Sequence, residues 1–117
     1  MTTHYSIGHS PDPDDAFMFY AMTESLIDTG DRRYEHVLVD IQTLNQQALE
    51  GAHDVSAVSI HSYPTISNNY SLMNCGASMG EGYGPMIIST SESSLEEASE
   101  ATIAIPGLGT SAYLTLR

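Results

Sequence analysis

His9-Ser10-Pro11-Asp12-Pro13-Asp14-Asp15-Ala16-Phe17-Met18-Phe19-Tyr20 decides the reading of this chain, because it marks the passage from a short strand into a helix. Pro11 and Pro13 each hold φ near about −65° and push the residue before them toward extended geometry. A strand over Tyr5 to His9 is therefore followed by a stiff loop. Asp12 or Asp14 can cap the helix beyond it, since a carboxylate there accepts from free N–H groups and sits at the positive end of the helix dipole. Phe17, Tyr20 and Ala21, with Leu26 further on, recur at helical spacing, while Met18, Phe19 and Met22 widen the apolar stripe. That width predicts a helix buried over much of its surface.

Strand and helix go on alternating downstream. Asp28 to Arg33 reads as a polar turn around Gly30, and Tyr34 to Val39 as a second strand. Asp40 is the natural N-cap of a helix over Ile41 to Leu49, in which Ile41, Leu44, Ala48 and Leu49 form one apolar face and Gly51 stops the run. Val55 to Ile60 reads as a buried third strand. This alternation predicts a parallel α/β sheet. Beyond it come a short helix near Ile66 that Pro64 begins, a brief strand at Leu72 to Cys75, and four glycines within Gly76 to Gly84. That glycine-rich loop either passes close to a ligand or simply makes turns. Pro85 to Thr90 reads as a further strand, and Ser91 to Glu100, with four glutamates, as an exposed short helix or linker. Thr102 to Ile105 and Thr110 to Arg117 then read as a strand entering a new helix.

Fifteen acidic residues against three basic ones give the 117-residue chain a formal charge of −12. There is no lysine, and Arg32, Arg33 and Arg117 are the only cations, so no basic stripe exists for nucleic acid or an anionic membrane. Acidity of this kind reads as a solvated surface. Cys75 is single and cannot form an internal disulfide, and no Cys/His spacing matches a zinc site. No apolar run approaches the length of a membrane span, and Met1 leads almost at once into a strand without a signal-peptide pattern. The expected address is the cytoplasm.

Gly107-Leu108-Gly109-Thr110-Ser111-Ala112 fits G-x-G-x-x-A between a strand and a helix, but an isolated match without its ribose-binding acid does not make a dinucleotide site. Free N–H groups at a helix start, with the hydroxyls of Thr110 and Ser111, would still seat a carboxylate; the competing reading is a plain N-cap with a glycine turn. Ser59 closes the third strand at the edge where open α/β sheets present ligand contacts, and Ser10 holds the same place on the first strand. No base is fixed beside Ser59 in sequence, so no Ser/His/Asp triad is expected. His61 follows just after Ser59 and reads as cleft lining, carrying a side chain type able to exchange protons near neutral pH. His4, His36 and His53 read as surface or strand-end residues. Asp12, Asp14 and Asp15, with His9 and His61, fail the calcium-loop pattern, because Phe17 and Thr23 stand where it needs glycine and glutamate. Helix capping is the preferred reading, and no metal is expected.

Three stretches in order resemble the menaquinone-biosynthesis family of the futalosine route, above all its 1,4-dihydroxy-6-naphthoate synthase branch. Ser10-Pro11-Asp12-Pro13-Asp14-Asp15-Ala16-Phe17 stands where that family has Ser-Pro-Cys-Pro-Asn-Asp-x-Phe after its opening strand. Asp54-Val55-Ser56-Ala57-Val58-Ser59 is similar to a second family stretch, and Ile103-Ala104-Ile105-Pro106-Gly107-Leu108-Gly109-Thr110-Ser111-Ala112 resembles its strand followed by Pro-Gly-x-x-Thr-Thr-Ala. The departures are Asp12 for Cys, Asp14 for Asn and Ser111 for Thr, which make the first loop more acidic.

The resemblance implies a two-lobed α/β fold of the type II periplasmic-binding-protein kind, with residues 1–98 forming most of the first lobe and 99–117 the opening of the second. It implies a cofactor-independent carbon–carbon lyase acting on cyclic dehypoxanthinyl futalosine, with a small-molecule carboxylate as the partner and neither nucleic acid nor membrane. Ser59, Ser111 and Ala112 would hold substrate oxygens, with Thr110, Ser10 and His61 in the same cleft. The base would be a histidine of the second lobe beyond Arg117, which leaves this stretch inactive by itself. The rival within the family is a chorismate dehydratase-like paralogue. A non-catalytic solute-binding protein of a transporter is the rival of another class, and the oligomeric state is left open.

Overall fold

The computed structural model describes residues 1–91 and 94–117. Its centre is a parallel three-stranded sheet in the order β2-β1-β3, built from β1 (Thr3–His9), β2 (Arg32–Leu38) and β3 (Val55–Ser56). β1 pairs with β2 along its whole length, from Thr3 opposite Arg32 to His9 opposite Leu38, but meets β3 only at Ile7–Val55 and Gly8–Ser56. The expected third strand over Val55 to Ile60 is thus cut to two residues. Ala57 N–H still donates to the Gly8 carbonyl at 2.8 Å, after which the chain turns away and leaves Ile60 exposed. The short ladder is reinforced at its entry. Asp54 Oδ2 accepts from both the backbone N–H and the hydroxyl of Ser6, at 2.8 and 3.0 Å, and these bonds hold the Asp54 carboxyl below the usual carboxylate range.

Helix α1 (Pro13–Thr23) starts where the proline-rich loop predicts, with Pro13 in the first turn and Asp12 at the N-cap position. The Asp12 carboxylate does not cap the helix. It accepts instead from the Ser10 hydroxyl at 2.7 Å, while Asp15 Oδ2 accepts from the Ser10 N–H at 2.7 Å. Asp14 lies within the helix, and its carboxyl is held low first by the Ser78 hydroxyl and then by the backbone of Asp15. The helix ends at Thr23, before Leu26, with Ser25 at φ 56° in the left-handed region. The expected deep burial does not occur: no α1 residue is fully buried, and Phe17 is 87% exposed. A helix apolar on most sides can lay only one of them on a sheet, and here Phe19 takes that role, stacked on His9 at 4.3 Å between ring centroids.

Helix α2 (Ile41–Leu49) follows its sequence signals closely. Asp40 accepts from Thr43 N–H at 3.0 Å and from the Thr43 hydroxyl at 2.6 Å, and Gly51 leaves the helix at φ 67°. Leu44 and Ala48 are wholly buried, and with Ile7 and Ile66 they make up the apolar core; Leu49, expected on that face, is 55% exposed. Gly8 permits the packing, since a Cβ there would come within 2.7 Å of Leu44 and of His53. Helix α3 (Tyr63–Ile66), with Pro64 in its first turn, drives Ile66 into this core.

The later elements depart further from expectation. Leu72 to Cys75, Pro85 to Thr90 and Thr102 to Ile105 form no strands; a strand exists only through a ladder partner, and none of the three finds one among the described residues. Stretches 85–90 and 102–106 instead line one open hollow. The glycine-rich loop makes turns, with Gly76 and Gly82 both at φ 77°. The acidic stretch holds α4 (Leu95–Ser99), capped reciprocally by Ser94 and Glu97, while positions 92 and 93 lie outside the described residues. α5 (Ser111–Leu116) closes the chain with Thr110 as its N-cap.

Candidate functional site

The C-terminal ends of β1 and β3 deliver Ser10 and Ser59 to the same edge of the sheet, where parallel α/β sheets carry ligands. Beyond β3 the turn Ser59–Ser62 closes through Ser62 N–H donating to the Ser59 carbonyl at 2.9 Å. This turn presents the side chains of His61 and Ser62 toward the loop before α5, some fifty positions later in the chain. His61 Nδ1 lies 3.1 Å from the Thr110 carbonyl, and His61 N–H lies 3.4 Å from Ser111 Oγ. The Ser62 hydroxyl donates to the Gly109 carbonyl at 2.7 Å. From the other side, Gln42 of α2 accepts from Gly109 N–H at 2.9 Å. A carbonyl only accepts, so His61 carries a proton on Nδ1, and in the neutral ring Nε2 is the acceptor.

Two glycines make this seam possible. Gly107 sits at φ 148°, and a Cβ there would run into the Gln42 side chain. Gly109 needs no unusual φ; it is glycine for space, because a Cβ would stand 2.8 Å from Ser62 Oγ and 3.2 Å from Asn45 Nδ2.

The structure thus brings Ser59, His61, Thr110 and Ser111 into one polar cluster, with Ala112 in the first turn of α5 beside it. Their roles differ from one another. Thr110 is 3% exposed, and its hydroxyl donates to the Gly107 carbonyl at 2.7 Å while accepting from Tyr113 N–H at 3.3 Å. It builds the loop rather than offering a free hydroxyl to a ligand. Gly109 N–H is likewise taken by Gln42, so the backbone donors left to an incoming oxygen belong to Ser111 and Ala112, which precede the intrahelical ladder. Ser10 stands apart, 7% exposed and bound to Asp12 and Asp15.

Sequence reading missed Asn45. It is 3% exposed on α2 and grips Ser59 at both ends: its Oδ1 accepts from Ser59 N–H at 2.8 Å and its Nδ2 donates to Ser59 Oγ at 3.1 Å. The only sign in the sequence was an amide one position beyond Leu44, on a helix whose apolar face was already assigned. His9 and His36 were missed as a pair. Their rings sit edge to face, with His9 Nε2 3.0 Å from His36 Nδ1. His9 Nδ1 faces the Ser10 carbonyl at 3.1 Å and must donate to it, so with both rings neutral His9 Nε2 accepts from His36 Nδ1–H. His36 Nε2 is then left bare and buried with no partner among the described residues. Burial first, and the neighbouring His9 second, push the His36 imidazole below its ordinary range. Of the three histidines read as surface or strand-end residues, His4 is exposed, while His36, within β2, and His53, two positions before β3, are partly buried.

Comparison with known proteins finds relatives over nearly the whole chain. The family described as Menaquinone biosynthesis matches residues 5–117. The 1,4-dihydroxy-6-naphthoate synthase of Thermus thermophilus is 33% identical over 110 residues, covering 94% of this chain and 39% of that protein. Its counterpart from Streptomyces coelicolor is 32% identical over 111 residues, covering 95% and 38%. The crystal structure of protein AF1704 from Archaeoglobus fulgidus superposes with a TM-score of 0.73 at 46% identity, over 79% of this chain and 34% of the other. The chain therefore spans about two fifths of the length of the curated relatives it matches.

Proposed function

The chain belongs to the menaquinone-biosynthesis family, and from that premise we propose that it supplies one wall of a carboxylate-binding cleft in an enzyme of the 1,4-dihydroxy-6-naphthoate synthase type. In this reading the whole enzyme is a two-lobed carbon–carbon lyase that acts on cyclic dehypoxanthinyl futalosine, with residues 1–98 in the first lobe and 99–117 opening the second. The observation that carries the proposal is the seam joining the Ser59–Ser62 turn to the Gly107–Ser111 loop. It sets a half-buried serine hydroxyl beside a helix start at the carboxyl edge of a parallel sheet, a combination suited to carboxylate oxygens. Ser59 and Ser111 offer hydroxyls, Ser111 and Ala112 offer N–H groups, and Nε2 of the neutral His61 ring suits a ligand hydroxyl. Thr110 and Gly109 hold the loop in shape, and Ser10 stiffens the entry to α1. Proton removal next to a carbonyl needs a further base, which this reading places outside the chain.

Titration of this chain with 1,4-dihydroxy-6-naphthoate, followed by calorimetry, tests the assignment. Saturable binding is expected, with Ser59→Ala weakening it by about 1–3 kcal/mol if the hydroxyl meets a desolvated ligand oxygen. An unchanged dissociation constant in Ser59→Ala returns Ser59 to a structural role.

A further inference from the structure

Asn45 and Ser59 together carry more chemical information than either alone. A backbone N–H can only donate, so the Asn45 atom facing Ser59 N at 2.8 Å has to be the carbonyl oxygen. That settles the other end of the amide: the group 3.1 Å from Ser59 Oγ is the NH2, which has no lone pair to offer. Ser59 Oγ is therefore the acceptor in this bond, and its own hydrogen must point elsewhere. Among the described residues that hydrogen has no acceptor, and Ser59 is half-buried at the sheet edge with solvent on one side. Asn45 is 3% exposed on a helix anchored by the wholly buried Leu44, so it cannot readily turn over.

We propose that Asn45 is a positioning residue that occupies one lone pair of Ser59 Oγ and directs its hydrogen outward, so that this point of the cleft favours an oxygen acceptor, carboxylate or carbonyl. The inference rests on the cleft reading given above. It adds that the selectivity of Ser59 is written into α2, and that Asn45 acts without touching the ligand. Polarising the hydroxyl by a donated bond also strengthens the bond it makes outward, because hydrogen bonds in a chain reinforce one another.

Asn45→Asp tests this with almost no change of shape. An aspartate can accept from Ser59 N–H as before, but at its other oxygen it also accepts, so the Ser59 hydroxyl turns inward and is lost to the ligand. Binding of 1,4-dihydroxy-6-naphthoate is measured for the wild-type chain, Ser59→Ala, Asn45→Asp and the double variant, with thermal melting of each. Each single variant is expected to weaken binding about 5- to 50-fold, and the double variant to be no weaker than the poorer single one. Wild-type affinity in Asn45→Asp beside a weakened Ser59→Ala overturns the proposal while leaving the cleft reading intact, and so do losses that multiply in the double variant. Ser59→Ala at wild-type affinity overturns the cleft reading and the inference with it.

Should Asn45→Asp not fold, the side-chain amide protons of Asn45 in the wild-type chain decide by NMR. Slow exchange with solvent, retained when the naphthoate is added and lost in Ser59→Ala, supports the assignment. Release of the amide on adding the naphthoate overturns it, because Asn45 would then be meeting the ligand itself.

Discussion

At the scale of single residues, the polar groups of this chain are ordered by what each neighbour is able to donate or accept. The His9–His36 pair shows the consequence. With both rings neutral and His9 Nδ1–H committed to the Ser10 carbonyl, the proton shared between the rings comes from His36, and the far nitrogen of His36 is left buried without a partner among the described residues. A second proton on His36 would need an acceptor there and has none among the described residues, which fits the direction of its shift. The sign follows directly. Because the folded-state pKa lies below the unfolded value of about 6.5, the unfolded chain binds more protons in that range, and stability falls as pH drops from neutrality through it. Urea unfolding of the wild type between about pH 7.5 and pH 5 is expected to show this decline. His36→Gln should flatten it, and an identical slope in the variant would mean that His36 does not carry the effect.

At the scale of elements, α2 organises both the core and the site. Its buried face holds Leu44 and Ala48 against β1, and its amides Gln42 and Asn45 reach Gly109 and Ser59. Leu44 has no exposed surface, and the core around it is small, so Leu44→Ala should cost about 2–5 kcal/mol from lost transfer energy and the cavity left behind. For a chain of this size that is a large share of total stability. The expected result is a lower melting temperature together with loss of naphthoate binding, since α2 can no longer hold Asn45 in place. Full binding with the melt lowered would show that the site does not depend on the seating of α2. The two-residue β3 is held at its entry by the long-range Asp54–Ser6 bonds, and α4 by its own Ser94–Glu97 capping box.

At the scale of the whole molecule, shape and charge act together. The radius of gyration is 17.1 Å, against about 13 Å for a compact domain of this length, and the principal extents are 60 × 31 × 23 Å. An elongated chain leaves apolar side chains uncovered, and Phe17, Met79 and Ile88 are all nearly 90% exposed. Its formal charge of −12 keeps copies apart but also pushes its own segments from one another. Raising monovalent salt from about 0.01 to about 1 M shortens the screening length from about 30 to about 3 Å, so the melting temperature at pH 7 should rise. A melting temperature that falls or stays level across that range would mean self-repulsion does not limit the fold.

The sequence by itself determined the elements whose signals are local. The Pro11–Pro13 loop into α1, Asp40 capping α2, Gly51 ending it, Pro64 starting α3 and Thr110 starting α5 all stand where residue chemistry puts them, because caps and prolines act on their own backbone within one turn. The three family stretches were legible for a related reason, as short runs at the ends of those elements. Tertiary structure alone decided the rest. Pro85 to Thr90 and Thr102 to Ile105 have strand-like composition but no ladder partner among the described residues, and α1 has more apolar surface than one sheet face can cover. The pairing of His9 with His36 depended on the register of β1 against β2, and the grip of Asn45 on Ser59 depended on how α2 lies beside the turn after β3. Contacts of that kind are set by packing between segments distant in the chain, and no local pattern encodes them.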